Sequence, residues 1–428
     1  MNVRLVVHYL GRLSTGLSLL MIIPALIAIF HGESDGIAFV VSCGISFILG
    51  INMKMWGRNG SSPVTELSMH DGIAITALGW LLINILGTFP YILSGHLGIL
   101  DGVFETVAGF TGCGGTVFPD LSGLPHSLLF WRSLTQWLGG LGIIVIFVAL
   151  LPQTGHSALQ LYQAETSRMS SGRRRPRLQE MVLVIFNIYL MFTALAGVVY
   201  WLAGMNFPAA LNHAMTTIST GGFSIYNESI AYYDSPVVEG AVIFFMVLSG
   251  GNFNLYYHAY KNGLQVLWKD TEFRTYLGLL AFATVFIALS LVKALDYSLK
   301  EALREAAFVA TAQASAGFSA FNYEHWPASL QCVLVLLMLS GGCSGSTTAG
   351  LRISRLILLV KMVVHSVEIS INPRVHKAIT INGQRINDSV LYGVGRFFFL
   401  YMFFLALWTL LYTLDGMKLY DSLGLSLA

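Results

Sequence analysis

Long apolar runs separated by short polar connections dominate this chain. A helix needs about 20 consecutive apolar residues to cross the hydrocarbon core of a bilayer, so runs of this kind predict membrane spans. They lie near residues 14–30, 37–53, 72–94, 127–151, 180–203, 236–258, 275–293, 329–339 with a continuation at 351–364, and 391–414. The pattern predicts an all-α polytopic membrane protein.

Three of the connections share an unusual design, in which a short segment of apolar and small residues leads into a glycine-containing turn. The turns are turn 1 (Thr111–Thr116), turn 2 (Ser219–Ser224) and turn 3 (Ala314–Ser319). Aligned on Gly114, Gly222 and Gly317, each glycine is followed by any residue and then by Ser or Thr. In turns 2 and 3 an asparagine also follows at the same distance, Asn227 and Asn322. The chain therefore contains an internal repeat of a span, a half-span, a turn and a second span.

The half-spans are too short to cross a bilayer, which predicts re-entrant half-helices. Irregular backbone at membrane depth is tolerated only where it lines a water-filled cavity, and glycine lets such backbone turn sharply. Backbone carbonyls in such a turn can replace the hydration shell of a permeating cation. None of the turns contains Asp, Glu, Lys or Arg. This favours a weakly hydrated monovalent cation over calcium, whose sites usually need carboxylates.

Composition and charge support a pore across a membrane. Of the 428 residues, 55% are hydrophobic and only 11% are charged. Alternate connections are basic, which makes them cytoplasmic by the positive-inside rule, together with the N-terminus. Their Lys and Arg residues are Lys54, Arg58, Arg168, Arg173, Arg174, Arg175, Arg177, Lys261, Lys269, Arg274, Arg352, Arg355, Lys361, Arg374, Lys377 and Arg385. The segments 95–126 and 205–235 have none and are expected outside.

Five acidic residues in the predicted outer connections have two explanations. They are Asp101, Glu105, Asp120, Glu228 and Asp234. They could concentrate cations at an outer pore mouth. Asp101 and Glu105 could instead begin a half-helix, where acidic groups suit the helix dipole.

The sixth span contains two asparagines, Asn252 and Asn254, and both are expected to form hydrogen bonds between helices. The glycines of Gln136–Gly142 are expected to permit close helix packing.

The eighth span is interrupted by small residues between Ser340 and Gly350. One explanation is an unwound loop that acts as a gate, since irregular backbone is permitted beside a cavity. The other is a helix surface of small residues that packs against a neighbouring helix. The predicted gate residues are Gly341, Gly342, Cys343, Ser344, Gly345, Ser346 and Thr347.

The three turns, the stretches Gln136–Gly142 and Gln160–Glu165, and the run Gly342–Thr347 resemble the Trk/Ktr/HKT superfamily of potassium transporters, closest to its bacterial TrkH-type uptake subunits. The resemblance implies a pseudo-fourfold pore of helix–pore-loop–helix repeats around a potassium-selective filter. It also implies a homodimer and a cytoplasmic nucleotide-binding regulatory subunit of the TrkA type. The implied filter residues are Thr111, Gly112, Cys113, Gly114, Ser219, Thr220, Gly221, Gly222, Ala314, Ser315, Ala316 and Gly317.

The repeats divide the chain into five predicted segments. They are two extra spans in 1–60, pore repeats in 61–178, 179–273 and 274–385, and an incomplete fourth repeat in 386–428. The fourth half-helix is expected to start near Asp421, with no filter turn after it within the sequence.

These features predict potassium uptake across the cytoplasmic membrane of a bacterium, with potassium as the substrate and no cofactor or nucleic-acid partner. A sodium-permeable or cation-coupled relative is one alternative, although the aligned glycines favour potassium. A non-conducting relative is another, because the fourth turn is missing. An enzyme is not expected, since Cys343 and Ser344 lack a placed His/Asp pair and a strand–turn–helix context.

Overall fold

The computed structural model of the chain describes residues 1–58, 68–142, 177–323, 325–372 and 378–427. They form two compact units, Met1–Tyr232 and Tyr233–Ala428. Each unit buries an apolar cluster of its own.

The first unit contains seven helices among its described residues. They are α1 (Val3–His31), α2 (Gly36–Arg58), α3 (Met69–Leu93), α4 (Ile99–Thr111), α5 (His126–Gly140), α6 (Arg177–Leu202) and α7 (Phe207–Ile218). Helices α1 and α2 pack backbone against backbone, because a Cβ on Gly11 would lie 2.6 Å from the carbonyl oxygen of Gly50. Small residues permit such contacts between membrane helices.

The second unit begins within a 3₁₀ turn (Ser229–Tyr233) and continues with helices and one hairpin. Its elements are α8 (Pro236–Ser249), α9 (Phe253–Asn262), α10 (Gln265–Lys269), α11 (Thr271–Leu295), α12 (Leu299–Ala314), α13 (Ala328–Ser340), α14 (Ile353–Ile371), β1 (Thr380–Ile381), β2 (Gln384–Arg385), α15 (Asp388–Leu414) and α16 (Leu419–Leu427).

Six helices of the described part of the chain, α1, α2, α3, α6, α11 and α15, are long and apolar enough to cross a membrane. They coincide with six of the predicted spans. The predicted span 127–151 is described only as far as residue 142, with α5 ending at Gly140. The basic residues Arg168, Arg173, Arg174, Arg175, Arg374 and Lys377 and the stretch Gln160–Glu165 lie outside the described residues.

The predicted span over 236–258 is not one continuous helix, because α8 and α9 meet at an angle of 90°. The chain turns at Gly250 and Gly251, where a Cβ would collide with the hydroxyls of Tyr276 and Tyr256. Asn252 then caps α9, its side-chain oxygen accepting from the amide of Asn254 at 2.9 Å. Asn252 thus stabilises a helix start, and the expected bond between helices is not its role.

The predicted half-helices are α4, α7 and α12, with 13, 12 and 16 residues. At about 1.5 Å per residue each is shorter than the hydrocarbon core. Polar caps start two of them: Asn206 accepts from the amide of Ala209, and Ser298 forms a capping box with Glu301. In α4, Asp101 lies in the first turn and is exposed, as expected for a helix start.

Candidate selectivity filter and gate

All three glycines aligned from the sequence have left-handed backbones. The angle φ is +77° at Gly114, +77° at Gly222 and +72° at Gly317. Residues with a Cβ rarely adopt this conformation, so glycine is needed at each position. Each turn comes directly after a half-helix, since α4, α7 and α12 end at Thr111, Ile218 and Ala314.

Turns 1 and 2 have a second left-handed residue two positions earlier, and turn 3 does not. These residues are Gly112 with φ +75° and Thr220 with φ +56°. A non-glycine residue in this region stores strain of order 1–3 kcal/mol, which the surrounding contacts of the buried Thr220 have to offset. Ser315, at the same place in turn 3, has φ −139° and ψ −89°. The backbone of turn 3 therefore follows a different path.

The hydroxyl groups at the ends of the half-helices donate to their own helices. Thr111 Oγ1 donates to the carbonyl of Val107 at 2.7 Å, and Ser315 Oγ donates to that of Thr311 at 2.8 Å. Ser219 Oγ donates to the carbonyl of Thr216 at 3.3 Å. Each of these hydroxyl oxygens keeps its lone pairs and is, like the backbone carbonyl oxygens, able to interact with a cation.

Turns 1 and 2 lie side by side within the first unit. A Cβ on Gly114 would lie 2.6 Å from the carbonyl oxygen of Gly221, and one on Gly112 would lie 3.8 Å from the Cα of Gly221. The two backbones thus touch with no room for a side chain between them. Cys113 is exposed, while Ala316 in turn 3 is buried.

Gln136 of α5 holds the backbone of turn 2 through both ends of its buried amide. Its Nε2 donates to the carbonyl of Gly221 at 2.7 Å, and its Oε1 accepts from the amide of Phe223 at 2.9 Å. The carbonyl oxygen of Gly221 therefore has one of its two lone pairs engaged by a side chain.

Arg132, one helical turn before Gln136, is a buried charge that the sequence patterns did not single out. Its Nε donates to Glu105 at 2.7 Å, and its other two nitrogens donate to the carbonyl of Ser224 at 3.0 Å and to Thr116 Oγ1 at 3.2 Å. Its guanidinium also stacks 4.2 Å from the ring centre of Phe223. Arginine suits this place because its rigid planar fork reaches several acceptors at once.

The Ser or Thr two residues after each glycine now has an explanation in turns 1 and 2. Thr116 Oγ1 donates to Glu105 at 2.9 Å, and His213 Nε2 lies 3.0 Å from Ser224 Oγ. Glu105 and His213 each lie nine residues before the left-handed glycine of the turn that follows them, Gly114 or Gly222. A buried polar residue of the half-helix therefore fixes the far end of the turn. In the third repeat Phe308 takes this place and packs 6.0 Å from the ring centre of Phe321.

The acidic residues of the outer connections divide into different roles. Glu105 has no exposed surface, so neither an outer mouth nor a helix start explains it. Asp120 is exposed, and hydrogen bonds from Ser122 and from the side-chain amide of Asn227 lower its pKa to about 2. Asn227 also accepts from the amide of Leu121 at 2.8 Å, so it links the segments that follow turns 1 and 2.

Glu228 and Asp234 are exposed. Asp234 lies 3.4 Å from Arg304 of α12. Arg304 is bound more tightly by the buried carboxylate of Glu239, at 2.6 Å to each oxygen. Asp120, Glu228 and Asp234 remain candidates for attracting cations.

The interruption of the eighth span is an irregular loop between α13 and α14. Its residues 341–352 are not helical, so the explanation as a small-residue helix surface is wrong. Left-handed glycines, Gly341 with φ +62° and Gly345 with φ +85°, turn the chain. At Gly342 a Cβ would collide with Thr348 Oγ1. Ser346 Oγ closes the loop on itself by donating to the carbonyl of Cys343 at 2.6 Å, and Thr347 beside it is half-buried.

This loop is bound to the break between α8 and α9. The amide of the buried Cys343 donates to the carbonyl of Gly250 at 2.8 Å, and the amide of Phe253 donates to that of Gly345 at 3.2 Å. A Cβ on Gly345 would lie 2.8 Å from Asn252 Oδ1. The two irregular segments therefore supply each other with hydrogen bonds that helices would otherwise provide.

Glu272, the second residue of α11, holds the loop together with the first turn of α14. One carboxylate oxygen accepts from the amides of Ser344, at 2.6 Å, and of Ser354, at 3.0 Å. The two residues before Glu272 contact the hairpin: Asp270 accepts from the side chain of Asn382 at 2.7 Å, and the amide of Thr271 donates to it at 2.8 Å. A short run of chain thus connects the hairpin to the loop.

The comparison with known families decides what this arrangement is. The sequence model of the TrkH family, described as cation transport proteins, matches residues 40–426. This chain belongs to the TrkH family.

Similar members of the TrkH family cover nearly the whole chain. The Trk system potassium uptake protein TrkH of Halomonas elongata is 33% identical over 435 residues, which span 100% of this chain and 90% of that protein. The protein of the same name from Escherichia coli K12 is 33% identical over 94% of this chain and 84% of its own length. The TrkG protein of the same organism is 32% identical over 99% of this chain and 87% of its length.

The fold agrees with a solved TrkH structure. The crystal structure of the potassium transporter TrkH from Vibrio parahaemolyticus aligns with a TM-score of 0.88 and 29% identity, covering 99% of this chain and 88% of that chain. This likeness confirms the predicted fold class. As a member of the TrkH family, the chain is a multi-pass membrane transporter and not an enzyme.

Within this TrkH-family chain, sequence patterns located the turns, the loop and the stretch that contains Gln136, but they missed the other residues that hold these segments, Arg132, His213 and Glu272. Arg132 was detectable as a lone charge in an apolar span, since such residues in membranes pair with an opposite charge or line a cavity. Glu272 carries no comparable signal, because it lies at a helix start where polar residues are common. His213 carries none either, because it lies in the middle of a half-helix that also contains Asn212, Thr216 and Thr217.

Proposed function

We propose that this protein is the pore subunit of a Trk-type potassium uptake system and that K⁺ passes along turns 1, 2 and 3. The observation that carries the proposal is the shared construction of the turns. Each follows the C-terminal end of a half-helix, contains a left-handed glycine and has no charged side chain. The half-helix ends contribute partial negative charge, and backbone carbonyls can replace the water around a dehydrated cation.

Potassium is the proposed substrate rather than sodium. The aligned filter positions are glycines, Gly114, Gly222 and Gly317, in all three turns. Similar proteins from Halomonas elongata and Escherichia coli are named potassium uptake proteins.

The proposed gate is the loop Gly341–Thr347. Its backbone depends on hydrogen bonds to Gly250 and Glu272 and not on a regular helix. A segment held by a few replaceable contacts can adopt a second arrangement at small cost, which is what a gate requires.

The arrangement of repeats is proposed as predicted from the sequence, with segments 1–60, 61–178, 179–273, 274–385 and 386–428. In the last segment the long helix α15 and the short helix α16 (Leu419–Leu427) follow the order of a span and a half-helix. We place the N-terminus in the cytoplasm and the protein in the bacterial inner membrane, on the grounds of the alternating basic connections.

A homodimer and a TrkA-type nucleotide-binding regulatory subunit are the proposed partners. The name "Trk system" of the similar proteins is consistent with several components. The hairpin that contains Asn382 lies in a predicted cytoplasmic connection. It contacts Asp270 and Thr271, the two residues before Glu272, and Glu272 binds the loop Gly341–Thr347.

Ion uptake into liposomes tests the proposal. Liposomes are prepared with the purified 428-residue chain or with the chain extended by the fourth repeat of a TrkH relative. A potassium gradient is then set up across their membrane. Uptake of radioactive Rb⁺, used as a probe for K⁺, is compared with uptake of Na⁺. We expect Rb⁺ uptake to exceed Na⁺ uptake in at least the extended chain.

Equal uptake of both ions would favour the sodium-permeable alternative. Absence of uptake by both chains, with the protein folded in the membrane, would favour the non-conducting alternative and contradict the proposal.

A further inference from the structure

Residues on one face of α5 contact turns 1 and 2 along the length of both turns. This face carries Arg132, Gln136, Gly139 and Gly140, which lie four, three and one residues apart and therefore share one side of a helix. The contacts of these four residues all fall within the first unit.

The two glycines bring α5 against the ends of both half-helices. A Cβ on Gly139 would collide with the carbonyl oxygen of Phe110 in α4. A Cβ on Gly140 would lie 2.7 Å from the Cβ of Ser219, directly after α7. The C-terminal part of α5 thus touches the start of turns 1 and 2 without any intervening side chain.

The two polar residues continue this contact along the turns. Gln136 binds the middle of turn 2 through Gly221 and Phe223, and Arg132 binds its end through Ser224. Arg132 also binds the end of turn 1 through Thr116. The gap between turns 1 and 2 is therefore bridged by one side chain, while their backbones touch at Gly114 and Gly221.

Helix α5 is itself fixed at both ends. At one end, Glu33 accepts from the amides of His126 at 2.7 Å and of Ser127 at 3.1 Å. Near the other end, Tyr189 Oη donates to the backbone carbonyl of Trp137 at 2.9 Å, a bond that does not involve the indole ring. A helix anchored in this way can hold the turns at a set separation.

We infer that Arg132 and Gln136 are positioning residues that set the ion selectivity of the filter by fixing turn 2 against turn 1. The inference rests on the proposed function. Selectivity depends on the size of the cavity or on the number and field of its carbonyl dipoles, and both change when the turns move apart. Neither side chain needs to touch the ion, since each acts through the backbone it holds.

Three substitutions test this role at different severity. Gln136→Asn keeps both amide functions but shortens the side chain by one methylene. Thr116→Val removes the hydroxyl that links turn 1 to Arg132 and Glu105. Arg132→Lys keeps the charge but loses the fork that reaches three acceptors.

Trp137→Phe is the matched control. It lies next to Gln136 on the same helix and also loses one hydrogen bond, but its partner is Thr193 and not a turn. A general loss of stability in α5 would affect this variant as it affects the others.

The measurement is competition by unlabelled K⁺ and Na⁺ against Rb⁺ uptake in liposomes, in the same chain that conducts without substitution. We expect Gln136→Asn and Thr116→Val to reduce the preference for K⁺ over Na⁺ by up to about tenfold, the factor that corresponds to one buried hydrogen bond. Arg132→Lys should reduce it further, and Trp137→Phe should leave it unchanged.

A second readout does not depend on transport. An ion that binds only the folded protein raises its melting temperature. We expect KCl to raise the melting temperature of the unsubstituted chain more than NaCl does, and this difference to shrink in Gln136→Asn and Thr116→Val.

An unchanged preference for K⁺ in the three variants, or an equal change in Trp137→Phe, would overturn the inference while leaving the proposed function intact. If Arg132→Lys does not fold, the preference for K⁺ over Na⁺ in Gln136→Asn and Thr116→Val decides. Absence of uptake by the unsubstituted protein, both as the 428-residue chain and with the added fourth repeat, would contradict the proposed function and the inference together, even if melting temperatures still respond to K⁺.

Discussion

At the scale of single residues, the first unit contains a fully buried ion pair at the end of turn 1. Glu105 is 0% exposed and Arg132 is 1% exposed. Both charges are expensive to remove from water, and the pair is tolerated because each group is also hydrogen-bonded to the turns. The pair therefore stabilises the local structure only as long as both members are present.

We predict that Glu105→Gln destabilises the folded protein by about 3–5 kcal/mol, because it leaves the guanidinium of Arg132 buried without a countercharge. The free energy of unfolding in detergent, measured against denaturant, checks this. Glu228→Gln is the control, since this carboxylate is exposed and its loss is expected to change stability by less than about 0.5 kcal/mol. Equal effects of the two substitutions would contradict the interpretation of Glu105 as a buried partner.

The proposed filter role of the left-handed glycines allows a second test at this scale, which compares substitutions at two neighbouring glycines. We predict that Gly114→Ala abolishes Rb⁺ uptake, because the residue is left-handed and its Cβ would lie 2.6 Å from the carbonyl oxygen of Gly221. Gly115→Ala should retain most uptake, since its Cβ would have its nearest neighbour at 3.5 Å and its backbone is not left-handed. Uptake into liposomes measures both. Full activity of Gly114→Ala would remove turn 1 from the ion path.

At the scale of elements, irregular segments are held by helices through hydrogen bonds to their backbone. Helix α5 holds turns 1 and 2, while α11 and the break between α8 and α9 hold the loop Gly341–Thr347. Backbone groups without a helical partner have to be satisfied in this way at membrane depth. The strength of these contacts decides which segments stay fixed and which can move.

We predict that Glu272→Ala raises basal Rb⁺ uptake several-fold, because the amides of Ser344 and Ser354 lose their common acceptor and the loop is released. Glu272→Gln should stay near the unsubstituted level, since its side-chain oxygen can still accept both bonds. Initial uptake rates in liposomes measure the difference. A fall in uptake in Glu272→Ala, with the protein folded, would argue against this loop as an obstruction.

At the scale of the whole molecule, the distribution of charge predicts the orientation in the membrane. The segments 95–126 and 205–235, which contain turns 1 and 2, have no Lys or Arg, whereas Lys261 lies in the last turn of α9 and Lys269 ends α10. Basic connections are retained in the cytoplasm, so the turns are expected to open to the outside.

Cysteine labelling measures this orientation in cells. In a chain whose four native cysteines are replaced by serine, we predict that Gly123→Cys reacts with a membrane-impermeant thiol reagent from outside. Asn262→Cys should react only after the membrane is permeabilised. Both positions are exposed, and a Cβ on Gly123 would meet no atom within 4 Å. The opposite labelling pattern would reverse the proposed orientation.

The extent of sequence-based prediction differs between parts of the molecule. Spans were located because lipid imposes a long apolar run on every crossing helix, and the three glycines were located because left-handed backbone selects glycine. The break after α8 was missed although Gly250, Gly251 and Asn252 interrupt the apolar run, because the sequence does not show that the hydroxyls of Tyr276 and Tyr256 exclude a side chain there. The predicted role of Glu105 was wrong, because the sequence near an acidic residue at a helix start is the same whether its carboxylate faces water or an arginine.

The sequence by itself determined the class of protein, the repeat and the positions of turns 1, 2 and 3 and of the loop Gly341–Thr347. Each follows from a constraint that acts on neighbouring residues: burial in lipid, helix length or a backbone angle. Only the tertiary structure decided which side chains hold these segments. Arg132 contacts a carbonyl 92 residues away, and Glu272 contacts amides 72 and 82 residues away. Contacts between such distant residues depend on how the helices pack, and local patterns carry no record of that packing.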